Sequence, residues 1–494
     1  MGASTRNRSY PEFIQACRAF RPSDLVPAIA RVSAALGEPP YSDELKRRVP
    51  PWGLATIARE SLLYGNEHRR VSVSEAAVTG LLLRLFNAQA MPGLAPGDKG
   101  FALALLTPIL YEQFPWQESI FEELARSHAL LIEGLEEVDT EILSEASIAD
   151  VLGGIPLREA IGATFVLQVG AYQNGGFYNP GWLDQENFSD VLALYSRSNI
   201  ETTARRLTAT RSELKADFNA NTHGNKRLAK YDYNPLVRRP FVALDDGSIV
   251  SPAPRLIMRT VTPGGLYYPG IATYGPGFAT ELGWLFEHYV GRNLRLIAGA
   301  EVHPEIRYGA GKSMKSTDWF VVMPGLVLLV ECKLKRLSLS ARAGDLALPK
   351  ELFLAIERAY DQLRRSVENV AAGTAEFAHI PRDRPLLAMI ISAEPSYVGN
   401  AYLVEQHGAT ITAGAATDVP VAALSARELE TLVTHGEHVE ELLLRLMQDR
   451  SPNTALGIPG IHTSDGKRNP ILESAWATYL FPSAVSSDDE SAGT

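Results

Sequence analysis

Apolar residues recur every three or four positions from about residue 10 to residue 220, the spacing that lays them along one face of a helix. In "SVSEAAVTGLLLRLF" the residues Val78, Leu81, Leu82 and Leu85 share such a face, and Ser72 with Glu75 stands in capping-box register ahead of them. "DLVPAIARVSAAL", "FALALLTPIL" and "DVLALYSRS" repeat the pattern, so the sequence predicts an all-helical N-terminal region over residues 1–235. The stretch from Glu201 to Pro240, across the end of that region, is biased towards basic residues and breaks into Gly, Asn and Pro, as a solvated helix and a domain junction do.

After Pro240 the texture changes. "PFVALDDGSIVSP" reads as a hairpin turned on Asp245-Asp246-Gly247, and "RLIMRTVTPGGLYY" reads as further extended residues. A helix at "FATELGWLFEHYVGRNLRLI" follows, then an apolar hairpin, a helix near "PKELFLAIERAYDQLRRSVENV" and a strand at "LLAMIIS". This alternation predicts an α/β domain over residues 236–450. Within it "VPVAALSARELETLV" gives a strand and then a helix, with Ser425 and Glu428 in capping-box register. His435 and His438 sit three apart with no carboxylate converging on them, which suits a solvated helix end better than a metal. Residues 451–494 form a C-terminal extension whose last stretch, "SAVSSDDESAGT", has the composition of a disordered tail.

The hairpin, "STDWFVVMPGLVLLVECKLKR" from Ser316, is so apolar that its three charged residues need a reason, because buried ionised groups are costly unless paired or metal-bound. If the strands join around Pro324-Gly325, Met323 faces Leu326 and each rung outward keeps a constant sum, so Asp318 falls opposite Glu331. Opposed residues share a sheet face with Cβ atoms roughly 4.5 to 5.5 Å apart. Lys333, two positions on, projects from that face as well. A one-residue bulge would break the opposition, and a Pro-Gly pair prefers a type II turn that suits a two-residue hairpin poorly. Two carboxylates so placed need a positive charge between them. Mg²⁺ would serve, since it takes one or two carboxylates and keeps its other positions for water and phosphate oxygens. An acid-x-Lys tripeptide also occurs at Glu44 to Lys46, Glu213 to Lys215 and Asp465 to Lys467, but only "VECK" ends an apolar strand with an Asp on the partner strand.

Composition narrows the setting. With 494 residues, 46% hydrophobic and 21% charged, the chain has the make-up of a folded protein of two to four domains. No apolar run reaches the ~18 residues of a membrane span, the longest being broken by Pro108 or Pro324, and the start has no apolar leader-like stretch, so the expectation is a cytoplasmic protein. Two cysteines, Cys17 and Cys332, lie far apart in the sequence and leave oxygen or histidine as the ligands for any metal. A net charge of −10 opposes coating of nucleic acid by bulk charge, so a nucleic-acid site would have to be a local basic patch.

In these residues the chain resembles the PD-(D/E)xK nuclease superfamily, whose fold is the restriction-endonuclease-like α/β domain with a central mixed sheet. The resemblance covers about residues 275 to 395. It implies Asp318 as the family's Asp, Glu331 and Lys333 as its acid-x-Lys, and Glu287 in "FEHYVG" as the carboxylate of the preceding helix. Glu287 lies at the edge of that helix's apolar face, and Glu281 competes for the role by helical period. Gly283 and Gly291, one turn either side of Glu287, suit close approach of another backbone or ligand. Thr317 replaces the family's Pro. Gln362 matches a glutamine of several branches, while Ser366 stands where one exonuclease branch has tyrosine. Asp318, Glu331 and Glu287 would hold Mg²⁺, with Mn²⁺ able to substitute, and Lys333 would orient or activate water. Lys312, Lys315, Arg358, Arg364 and Arg365 could contact phosphates.

The resemblance therefore implies a metal-dependent deoxyribonuclease that leaves 5′-phosphate and 3′-hydroxyl ends. A large helical region joined to such a domain looks like a bacterial anti-phage defence effector, in which the helical part senses a trigger or mediates assembly, and related enzymes suggest a homo-oligomer. The alternative is a catalytically silent protein that binds nucleic acid or a partner through a nuclease-like fold.

Overall fold

The structure is a computed structural model and describes residues 9–39, 41, 48–88, 101–117, 119–222, 224–334, 348–395, 399–413, 417–448 and 467–479. Helices and two main sheets build it. The smaller sheet has four short strands, β1 (Phe177–Tyr178), β2 (Thr208–Thr210), β3 (Phe241–Ala243) and β4 (Ile249–Val250), in the order β1-β4-β3-β2. The first 235 residues are thus not wholly helical, as their periodicity predicted, because β1 and β2 lie among them and β2 runs parallel to β3. Strands of two or three residues are too short to display an alternation. The hairpin β3–β4 does turn on Asp245-Asp246-Gly247. Asp246 Oδ1 accepts the Ser248 N–H at 2.9 Å and its hydroxyl at 2.6 Å, and Gly247 takes the left-handed conformation.

Two other expectations move. The helix Glu75–Asn87 buries Val78, Leu81, Leu82 and Leu85 as its pattern demands, but its cap is Ser74, whose hydroxyl accepts the Ala77 N–H at 3.2 Å, and not Ser72. Residues 255–268, read as extended, fall largely in the helices Leu256–Arg259 and Pro263–Tyr274. Thr262, inside the stretch read as extended, is a helix cap. Its hydroxyl accepts the Gly265 N–H at 3.2 Å, and Pro263 fills the first helical position, where a missing N–H costs nothing.

The larger sheet contains β5 (Glu301–Pro304), β8 (Trp319–Val322), β9 (Val327–Lys333), β10 (Leu386–Ser392), β11 (Thr410–Ala413) and β12 (Thr417–Ser425), in the order β11-β12-β10-β9-β8-β5. Between β5 and β8 the chain makes a separate two-stranded ribbon, β6 (Arg307–Tyr308) and β7 (Met314–Lys315). The central strands β9, β10 and β12 are parallel, and the outer pairings are antiparallel, so the sheet is mixed. Trp319, Val321, Leu328 and Val330 pack under the helix Pro276–Leu294. Phe320, Val322, Val327 and Leu329 pack on the other side against Ile356, Ala359, Leu363 and Val367 of the helix Leu348–Ala372. Cover on both faces is why β8 and β9 read as continuous apolar runs rather than alternating ones. Ser425 and Glu428 form the expected capping box at the end of β12.

The core under the helix Pro276–Leu294 reaches far back in the chain. It takes in Ile120, Leu124, Leu130, Leu143, Ile148 and Ile161, so the boundary expected near residue 235 does not separate two hydrophobic cores. Arg126 makes a two-pronged contact with Glu430 at 2.5 and 2.6 Å, and both groups are largely buried. Earlier helices, among them Pro22–Leu36 and Pro51–Tyr64, close a core of their own. Among the described residues no helix is long and apolar enough to cross a membrane. The expected disordered tail lies outside the described residues.

Gly291 marks the tightest seam. A Cβ there would overlap the Trp319 indole, whose Nε1–H donates to the Glu287 carbonyl at 3.1 Å. Replacing Gly291 by alanine is expected to destabilise this part of the protein by about 1–3 kcal/mol through overpacking, read as a lower urea midpoint. An unchanged midpoint would show that the seam is loose.

Candidate active site

The hairpin β8–β9 has the register that the two-residue turn requires. Trp319 pairs with Val330, Phe320 with Leu329, Val321 with Leu328 and Val322 with Val327, and the turn closes with Met323 N–H donating to Leu326 O at 2.9 Å. No bulge intervenes. The Pro324-Gly325 turn is held from outside as well, because Gly325 N–H donates to the Glu440 carboxylate. Asp318 and Glu331 adjoin the last of these rungs, Trp319 with Val330; alternation along β9 puts Glu331 and Lys333 on the side of Leu329, while Asp318 lies in the bend just before β8.

These charges are buried. Glu331 is 1% exposed and Asp318 8%. Asp318 Oδ2 accepts the Cys332 N–H at 2.6 Å, and Glu331 Oε1 is in contact with Lys333 Nζ. The Glu331 carboxyl is nevertheless pushed up to about 8, first by burial and then by the Asp318 charge, with the Lys333 ammonium opposing both. Asp318 is also raised by burial, against the pull of the Cys332 N–H and Lys333. Cys332 sits among these groups with its thiol pushed well up, so it is a poor nucleophile.

Glu287 joins the cluster from the helix. It is raised to about 7, by burial and then by the charges of Asp318 and Glu305, with Lys315 and Lys333 opposing. The Trp319 indole, sandwiched against Gly291 and under the Arg295 guanidinium, ties the backbone of this helical turn to the residue next to Asp318. The competitor Glu281 is occupied elsewhere. It is buried, and its carboxylate accepts the N–H groups of Glu141, Ile142 and Leu143 at 3.1, 2.9 and 2.6 Å.

The other face of the site is the helix Leu348–Ala372. Gln362 Nε2 donates to Ser316 O at 2.7 Å, two residues before Asp318. Ser366, one turn on, accepts the Thr317 N–H at 2.8 Å and donates to Gln362 O at 3.0 Å. The Thr317 hydroxyl donates to Val330 O at 2.5 Å and lies 3.3 Å from Glu331 Oε2. Thr317 and Ser366 are therefore complementary. Where a proline would have no N–H to give, threonine ties β8's approach to both β9 and the helix.

Among the basic residues the structure discriminates. Lys315 stands close enough to Glu287 to oppose its rise, and its ammonium pairs with Glu305 at 2.9 Å. Lys312 is exposed in the β6–β7 ribbon. Arg358 and Arg365 are exposed one helical turn before and after Gln362. Arg364 is engaged by Asp361 and Glu368 on its own helix and is not brought into the site.

Sequence reasoning missed Glu305, which follows edge strand β5 and whose charge raises both Glu287 and Asp318. No motif marks it. The role of Trp319 was equally hidden, although Gly291 was a clue to close packing. His438 is 79% exposed beside Glu441, consistent with a solvated helix end.

As to a metal, the donor chemistry fits a hard divalent cation: buried carboxyl oxygens whose charges raise one another, opposed by the ammonium groups of Lys333 and Lys315. Among the described residues, however, no three His, Cys, Asp or Glu side chains already converge as a ligand set. Glu331 is turned to Lys333 and Asp318 to the Cys332 N–H, so a cation would have to draw them together.

The raised carboxyls fix a pH dependence. Below their usual values near 4.5 Glu331 and Glu287 are protonated in both folded and unfolded chains. Above that the unfolded chain ionises while the fold resists, so these groups lower the stability of the metal-free protein as pH rises towards about 8. In EDTA, the fall in melting temperature between about pH 6 and about pH 8 should be smaller for Glu331→Gln than for wild type. An identical fall in both would contradict the assignment.

No family model, no curated protein and no solved structure matches this chain.

Proposed function

We propose that the chain is a divalent-metal-dependent nuclease that hydrolyses phosphodiester bonds of DNA, with a restriction-endonuclease-like catalytic domain. The single observation that carries this reading is the gathering of Asp318, Glu331 and Lys333 at one end of an antiparallel hairpin, where the Asp318 charge raises Glu331 and Lys333 contacts it, with Glu287 within electrostatic reach. Mg²⁺ or Mn²⁺ would be held by Asp318, Glu331 and Glu287. Bound there, the ion would stabilise the charge that develops on the phosphoryl oxygens.

The chain's own residues then have separable tasks. Lys333, released from Glu331, supplies an ammonium beside the phosphate or the attacking water, where it can stabilise negative charge. Cys332 N–H keeps Asp318 in one orientation. Gln362 and Thr317 hold the backbone that delivers Asp318 to the cleft, which matters because misplacing a reacting group by about 1 Å can cost roughly 10²-fold in rate.

The helical half is assigned to sensing or assembly, in an anti-phage defence effector. Support for communication is mechanical: helices from residues 120–161 share the core beneath the catalytic helix, and Arg292 on that helix pairs with Glu133 at 2.6 Å. The rival reading, a silent nucleic-acid-binding protein, draws on the Glu331–Lys333 contact, which in a binder would be permanent.

Incubation with linear and circular duplex DNA decides between them. Cutting should require Mg²⁺ or Mn²⁺, stop in EDTA, and fall by at least about 10²-fold in Glu331→Ala and in Lys333→Ala, with circular dichroism unchanged. Cutting at the wild-type rate by either folded variant would remove the site, and binding without any cutting would favour the silent binder.

A further inference from the structure

Between the edge strand and Asp318 the chain makes a detour that the acidic cluster does not require. The β6–β7 ribbon is anchored at its base, where Ser316 N–H donates to Ile306 O at 3.0 Å and the Ser316 hydroxyl accepts the Ile306 N–H at 2.7 Å. Beyond that base only Tyr308 is buried, edge-on to the Phe377 ring, while Arg307 and residues 309–315 are exposed.

The register of the ribbon sets Arg307 directly opposite Lys315. Like charges facing across a two-stranded ribbon destabilise it. One carboxylate serves both, Glu305, 2.9 Å from Lys315 and 3.8 Å from Arg307. At the tip Lys312 adopts a left-handed φ of 54°, unusual for a residue with a side chain, next to Gly311 in the same region. From residue 305 to residue 315 three cations thus stand against one carboxylate, in a chain whose net charge is −10. Such local positive charge, exposed and concentrated on a protruding ribbon beside acidic groups, calls for an extended polyanion.

We infer that the β6–β7 ribbon binds the backbone of duplex DNA beside the bond to be cut, with phosphates taking over from Glu305 as counterions of Arg307 and Lys315. Where the cut falls rests on the nuclease reading; the binding itself does not. Lys312 and Asp318 lie six positions apart, at most roughly 20 Å of extended chain. That span matches about six base pairs of duplex at about 3.4 Å each. A two-stranded ribbon enters the wide major groove of B-form DNA, whereas the narrow major groove of A-form RNA excludes it. Arg307 and Glu305 are thereby assigned parts in recognition that no sequence motif suggested.

The test uses the full chain in EDTA, so that it needs no cutting. Anisotropy of a labelled short DNA duplex is followed over a salt series for wild type and for the double variant Arg307→Ala, Lys315→Ala. Loss of two phosphate contacts should reduce the slope of log affinity against log salt by about two. Glu305→Gln should bind more tightly than wild type, and that gain should vanish when Lys315 is also alanine. An unchanged slope in the double variant, no duplex binding by wild type at low salt, or equal ribbon-dependent binding of an RNA duplex would each overturn the inference. Should the protein cut DNA while the double variant keeps the wild-type slope, the ribbon assignment fails and the nuclease reading stands. Should it bind through the ribbon and never cut, the reverse holds.

Discussion

Two carboxyl groups, Asp318 and Glu331, buried within electrostatic reach of each other at one end of a hairpin are the constraint around which this region is built. Were both ionised roughly 5 Å apart at an effective dielectric constant of about 20, their repulsion would be roughly 3 kcal/mol, a sizeable part of the stability of an ordinary domain. The metal-free fold tolerates the pair in three ways. Glu331 is raised to about 8 and so is largely protonated near neutrality, Lys333 approaches it, and the Cys332 N–H is given to Asp318. If the chain is the nuclease we propose, a divalent ion would take the place of these partners.

The surrounding structure serves to hold that pair in register. Thr317 locks the approach to β8 onto β9 and onto the helix that carries Gln362 and Ser366, and Glu440 secures the turn at the far end. Trp319 spans the sheet and the opposite helix, so the turn that bears Glu287 cannot drift without disturbing the residue after Asp318. The same helix is fastened to segments from the first third of the chain through Glu281 and Arg292, and through Tyr289 to Glu430. A movement in those N-terminal segments would thus bear directly on the helix that carries Glu287.

How much of this was legible in the sequence depended on the range of the interaction. The hairpin register could be worked out because a two-residue turn fixes every rung by arithmetic, and the apolar runs of β8 and β9 show where burial forces the issue. Ser425 with Glu428 was legible for the same reason, a cap whose partners lie three residues apart. Long-range facts were not. Nothing local distinguishes Glu281, which binds N–H groups 138 to 140 residues away, from Glu287 on the same helix. The strands β1 and β2 are created by their partners rather than by their own pattern, and the stretch read as extended around Thr262 is helical, with Thr262 and Pro263 opening a helix. Glu305 carries no motif, and only the fold brings its charge to the acidic cluster.

Divalent-ion binding tests the central claim most directly. Mn²⁺ added to the protein should lose its free-ion paramagnetic resonance signal as it binds, and should release protons as the raised carboxyls ionise. Asp318→Asn and Glu331→Gln, each with the fold retained, should abolish that binding. Equal Mn²⁺ uptake by wild type and both variants, or none by wild type at millimolar ion, would contradict the account.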